Sequence, residues 1–436
     1  MTLNLPKRLA LKRRFSVALL WLVAVVGTAH LMLIQYRALE GATPISASGA
    51  TGGDFFGFLH AARQIASGHS PYDLALIHEG YGYVYSPLVA VLLLPFRNFP
   101  TESVWHLWTA LSVVALVVFG ALVTMAEAHR MTDWRRPVLF GFTMIATFHF
   151  GPVVSDLSNG QTDALVLVAF ALAVLSSERG WRTASGALIG VGAVIKTWPA
   201  VAVLNLLRRG YVDRRKAAIG FAAALCVAPI LALAIGGWST LRDFLKITFD
   251  ALAQRQVSFS VWGVPKLLFT SSGLSRPIVV SGLLRDVATL VLLVWVIALI
   301  VMTLRWADSS VLGFWNVVAC VTFLLPISHF DYSMYLLPLL WIWAARVLAV
   351  PRLFSREMAI GVFLGLWWLL MFRTYWEGVT TLSSLQTSRP FFFDICAVTI
   401  SVLGDHLVRG RTALAVEGRP LTTSACRSVG DLPDEH

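Results

Sequence analysis

Asp54 stands directly behind Gly52 and Gly53 and opens a stretch with Phe55, Phe58, Leu59, Ala62 and Ile65 on one helical face. A loop of this kind can set one carboxylate at the edge of an apolar layer. The same residue type also serves as a plain N-cap, accepting from the unpaired N–H groups of the helix that follows. Asn159-Gly160-Gln161-Thr162-Asp163 heads another apolar run and carries more polar groups than a single cap needs. Lys196, in Val194-Ile195-Lys196-Thr197-Trp198-Pro199, tops a hairpin with no other charge. Its ammonium either snorkels to an interface or is offered to a phosphate. Arg255 ends the stretch 240–256, and His329-Phe330-Asp331-Tyr332 follows Pro326 at a helix end. Carboxylates, imidazoles and cations in such places can move protons and hold anions.

The elements that must position these groups are apolar. Of 436 residues, 57% are hydrophobic and only 14% charged, with mean hydropathy +0.72; soluble domains carry roughly a quarter charged residues. The chain is therefore polytopic in a membrane. The net charge of +11 falls in short Lys/Arg runs between apolar segments, the pattern of the positive-inside rule and not of a nucleic-acid binder. Four cysteines are present, three inside apolar segments and Cys426 in the tail, so no disulfide framework is implied. Sixteen tryptophans, several beside interfaces, suit an aromatic belt.

A basic segment, 1–14, precedes an apolar run from Phe15 to Ile34 that has the length of an anchor; a cleaved signal peptide is the alternative. The segment 84–97 is short and interrupted by Pro95, and is expected not to cross. Basic groups then mark alternate connections at Arg135/Arg136, Arg179/Arg182, Arg208–Lys216, Arg305 and Arg346/Arg356. Placing all of them in the cytosol predicts about twelve crossings with both termini inside. The expected fold is all-α: a polytopic domain over 15–407 with outer loops at 37–86 and 237–285, and a cytosolic tail at 408–436. The segment 240–256 puts Leu241, Leu245, Thr248 and Leu252 on one face, as in a helix lying along the interface. This topology gathers Asp54, Gln161, Asp163, Lys196, Arg255, His329 and Asp331 on the outer side. Ionisable groups near membrane depth are costly and point to a site.

Taken in order, Gly53-Asp54, Pro71-Tyr72, Tyr85-Ser86-Pro87, Gly160-Gln161-x-Asp163, the hairpin from Ala184-x-Gly186 to Lys196-x-x-Pro199, and Pro326-x-Ser328-His329-x-Asp331-Tyr332 resemble glycosyltransferase family 87 from about Phe15 to Asp405. Three features depart from the family pattern: Asp163 in place of Asn, Ser258-Phe259-Ser260 before Trp262-Gly263, and the His-x-Asp-Tyr form of the histidine motif. The resemblance implies a GT-C membrane fold and a transferase taking a sugar, mannose first, from a polyprenyl-phosphate donor to a glycolipid or glycan acceptor. It implies a plasma membrane, that of a bacterial inner membrane, with the site facing the periplasm or exterior. Membrane lipids are the other partners; no nucleic acid, cofactor or metal is expected. Asp54 is then the expected general base. Lys196, Arg255 and His329 are expected to meet the leaving phosphate, and Asp331, Gln161, Asp163 and Tyr85 to bind substrate. A transporter or lipid flippase would line a path with the same groups, but predicts internal repeats, which the sequence lacks. A non-catalytic scaffold leaves the one-sided polar cluster unexplained.

Overall fold

The computed structural model describes residues 5–40, 53–73, 82–127, 131–254, 258–271, 276–307, 310–326, 328–349, 355–372 and 384–417. These residues are nearly all helical and contain no β-strand; Phe150 and Phe372 form an isolated antiparallel bridge. The helices are α1 (Leu5–Glu40), α2 (Gly53–Ala66), α3 (Pro87–Leu93), α4 (Thr101–Glu127), α5 (Arg135–Phe148), α6 (Gly151–Asn159), α7 (Asp163–Glu178) and α8 (Arg182–Ile195). They continue as α9 (Arg214–Leu225), α10 (Val227–Gln254), α11 (Gly263–Phe269), α12 (Gly282–Trp306), α13 (Ser310–Leu324), α14 (Leu337–Ala349), α15 (Arg356–Leu370) and α16 (Ser384–Glu417). Short 3-10 helices occupy Leu94–Phe96, Trp198–Leu207 and Phe330–Leu336.

Among the described residues, six stretches are long and apolar enough to cross a bilayer: Arg14–Leu39, Thr101–Glu127, Arg214–Thr248, Gly282–Trp306, Phe330–Ala349 and Ser388–Val408. Helices α6 and α7, bent by 119°, make a seventh if taken as one span. The expected twelve crossings exceed this number because several apolar runs form helices below full length. Helix α8, the 3-10 helix Trp198–Leu207 and α13 have 14, 10 and 15 residues. They reach roughly 20–23 Å at 1.5–2.0 Å per residue, against an apolar thickness of about 30 Å. Pro87–Phe96 reaches only about 16 Å on the same rises, as expected of a segment that does not cross.

Burial sorts the helices into centre and rim. In the most apolar 18 residues of each stretch, 78% are buried in Phe330–Ala349, against 11% in Arg14–Leu39 and 22% in Gly282–Trp306. The centre is aromatic: Trp315, Tyr335, Trp341 and Trp343 have essentially no exposure. Each buries a large apolar area, and two of their polar tips find partners: Trp343 Nε1 donates to Ser401 Oγ at 3.0 Å and the Tyr335 hydroxyl to Asp163 Oδ1 at 2.6 Å. The rim helices turn Val23, Val25, Leu283 and Val291 outward, a surface suited to lipid. Helices α8 and α9 pack backbone to backbone, since a Cβ on Gly186 would strike the Ala217 carbonyl.

Within α10 the chain breaks at Gly236 and Gly237, the latter at φ +66°, and resumes as a second helical arm. That arm corresponds to the expected interfacial helix, but its buried face differs from expectation. Thr240, Leu241, Phe244 and Ile247 are buried, and Leu245 is exposed. Phe244 stacks on Tyr72 at 6.0 Å, so the aromatic from the loop after α2 selects the face.

Candidate active site

Helix α2 begins at Gly53, which places Asp54 second in its first turn, inside the helix and not at its cap. A carboxylate there faces the positive end of the helix dipole. Phe55, with no exposure, anchors this turn against Trp105 at 5.3 Å and Trp108 at 6.1 Å. The turn between α6 and α7 runs over the same ring. Its Gly160 has φ +68°, and a Cβ there would lie 2.6 Å from the Phe55 Cβ and 2.8 Å from the Trp105 ring. Only glycine meets both demands. Trp108 Nε1 holds the Gly160 carbonyl at 3.0 Å, so the next residue, Gln161, is delivered to Asp54.

The polar groups then connect. Gln161 Nε2 donates to Asp54 Oδ2. Gln161 Oε1 accepts from the Tyr85 hydroxyl at 2.7 Å and from Lys196 Nζ at 2.9 Å. The ammonium also pairs with Asp163 Oδ2 at 2.6 Å, and Asp163 Oδ1 accepts from the Tyr335 hydroxyl at 2.6 Å. Lys196 lies 4.5 Å from the centre of the Tyr332 ring, a cation–π contact in a desolvated place. The hairpin end carrying Lys196 is tied to the segment before α3 by Ser86 Oγ, which donates to the Val194 carbonyl. Tyr72 and Tyr83 brace that segment by donating to the Tyr85 and Ser86 carbonyls. Burial pushes both phenols well above their ordinary range, so they stay protonated donors.

Asp331 joins from the 3-10 turn Phe330–Leu336. It is 4% exposed, accepts from Asn159 Nδ2 at 3.4 Å, and lies within electrostatic reach of Asp163, Lys196 and Asp54. His329 is half-buried, edge-on to Tyr332 at 5.5 Å. Ser258 reaches the same turn, its Oγ accepting from the Ser328 N–H at 2.8 Å. Arg255 lies outside the described residues. Among the described residues no three His, Cys, Asp or Glu side chains are gathered as metal ligands.

Five of the eight expected site residues, Asp54, Tyr85, Gln161, Asp163 and Lys196, therefore form one bonded network. Asp331 and His329 stand beside it. Lys196 does not stand alone on its hairpin: its partner comes from another helix, and it is 6% exposed. The sequence reading missed Asp156 and Tyr335. Asp156 has no exposure, lies within electrostatic reach of Asp163, Asp331 and Lys196, and meets no hydrogen-bond donor on either oxygen among the described residues. It falls between two apolar runs, where a single carboxylate looks like an ordinary connecting residue. The costliness of ionisable groups at membrane depth was the signal that could have found it.

Comparison with known proteins fits this arrangement. Residues 83–328 match the model of glycosyltransferase family 87. The chain is 28% identical over 306 residues, 68% of its length and 70% of the relative's, to a polyprenol-phosphate-mannose-dependent alpha-(1-2)-phosphatidylinositol pentamannoside mannosyltransferase of Mycolicibacterium smegmatis. It is 30% identical over 176 residues, 39% of its length and 38% of the relative's, to GPI mannosyltransferase 1 of Aspergillus fumigatus.

Proposed function

The chain belongs to glycosyltransferase family 87, and from that premise we propose that it moves mannose from a polyprenyl-phosphate donor to a glycolipid or glycan hydroxyl at the outer face of a plasma membrane. It is a multi-pass membrane glycosyltransferase of the mannosyltransferase kind. The donor is carried over from the mycobacterial relative's name, and the glycolipid acceptor from both relatives' names. In the same reading α5, α7, α8, the 3-10 helix Trp198–Leu207, α13 and α15 each count as a crossing beside the six long stretches, giving about twelve and the GT-C arrangement.

The observation that carries the proposal is the Asp54 carboxylate, held at the first turn of α2 by Gln161 with the Lys196–Asp163 pair behind it. In the reaction, the acceptor oxygen attacks the anomeric carbon of the donor sugar while its proton passes to Asp54. The bond from that carbon to the phosphate oxygen breaks, and its electron pair leaves with the polyprenyl phosphate. Asp54 later returns the proton to water. The charge growing on the leaving phosphate is met by Lys196, whose three N–H groups outnumber its two hydrogen bonds among the described residues, and by Arg255 and His329. Tyr85, Asp163 and Asp331 line the substrate side, and Gln161 holds Asp54. A lipid-linked donor arrives in the membrane plane, so the site opens beside α2 and the second arm of α10.

The test uses purified protein in lipid with a panel of polyprenyl-phosphate sugars and phosphatidylinositol-based acceptors. Mannose transfer that depends on Asp54 is expected. Lipid or sugar crossing the bilayer with no transfer would replace this reading by a transporter.

A further inference from the structure

We infer that Gln161 is a positioning residue for Asp54, its amide locked by the Lys196–Asp163 ion pair so that it can only donate to the base. The inference rests on the proposed function of Asp54. The two ends of a glutamine amide have nearly the same shape, so bonding alone decides which faces a neighbour. An ammonium has three donors and no lone pair. The amide end 2.9 Å from Lys196 Nζ is therefore the oxygen, and the NH2 end turns to Asp54. Tyr85 adds a second donor to that oxygen at 2.7 Å.

The ion pair keeps this arrangement in place. Lys196 is held by Asp163 at 2.6 Å, and Asp163 in turn by the Tyr335 hydroxyl. Gln161 and Asp163 flank Thr162 at the start of α7, so one rigid turn carries both the amide and the counter-ion that fixes its polarity. Donation to one oxygen of Asp54 favours its ionised form and fixes the carboxylate plane.

The experiment is the pH dependence of kcat/KM for mannosyl transfer by the full chain in lipid, comparing the parent with Gln161→Glu and Gln161→Met. Gln161→Glu keeps the shape and the bond from Lys196 but sets a carboxylate against Asp54. Gln161→Met keeps the length and removes the donor. Both raise the pKa of Asp54, so the acid limb of the profile should move to higher pH, by about one unit or more for Gln161→Glu. The donor KM should change less than kcat, because the residue acts through the base. A merely structural role would lower the thermal midpoint without moving the limb. If either variant retains the parent's limb, or loses only donor affinity, the inference is overturned; if one variant does not fold, the other decides by the same criterion. Failure of the underlying reading looks different: Asp54→Asn would then transfer as fast as the parent.

Discussion

The Lys196 ammonium stands 2.6 Å from Oδ2 of Asp163, across 33 residues of sequence, in a place where the two residues are 6% and 0% exposed. Neither charge is tolerable there without the other. Removing one partner of a buried pair costs about 3–5 kcal/mol, since the survivor is left unpaired. Lys196→Ala is expected to lose stability of that order, seen as a lower thermal midpoint, and to raise the donor concentration needed for half-maximal rate. Lys196→Arg should keep much more of both. Combining Lys196→Met with Asp163→Asn removes both charges and should recover much of the stability lost in the single change. A Lys196→Ala protein as stable and active as its parent would reduce the contact to an incidental one.

Asp54→Asn separates a base from a helix-end residue. Asn keeps the shape of Asp and gives up only the charge–dipole interaction of the first turn, about 0.3–1 kcal/mol, so fold, insertion and donor binding should persist. It accepts no proton at working pH, and the rate should fall roughly 10²–10⁴-fold, the range of general-base removal. The decisive measurements are transfer rate, thermal midpoint and donor binding on one preparation. A stable Asn variant transferring near the parent rate would move the search for the base to Asp331 or Asp163.

Gly160→Ala tests the turn that delivers Gln161. A side chain at φ +68° is strained by about 1–2 kcal/mol. The added Cβ would also meet Phe55 at 2.6 Å, on the turn that carries Asp54. The expected result is a lower midpoint together with a loss of transfer larger than the change in donor binding. Parent-like activity in this variant would mean that the α6–α7 turn does not set the geometry of the base.

Orientation is tested by reporters. One fused after Arg215 should report the cytosol, and one inserted at Ser70, in the loop after α2, should report the outer side. Agreement of the two on one side would remove the outward-facing site.

Much of this protein is legible in its sequence because hydropathy and charge are summed over neighbours. Apolar runs flanked by Arg and Lys give a helical membrane chain, and Asp54, Gln161 and Lys196 are conspicuous because polar groups at membrane depth are costly. Helix lengths are less legible. Stretches 184–195 and 197–207 are equally apolar by composition, but the second, with Pro199 near its start, forms a 3-10 helix.

Pairing was decided by the tertiary structure alone. That Lys196 finds Asp163, that Tyr335 reaches it across 172 residues, and that Asp156 lies beneath them depend on how α7, α8 and the turn at Phe330–Leu336 pack. No local period or propensity encodes those distances. The sequence by itself determined which costly groups the membrane must accommodate. The fold decided their partners, because a charge removed from water is stable only where packing brings it an opposite charge or a hydrogen bond.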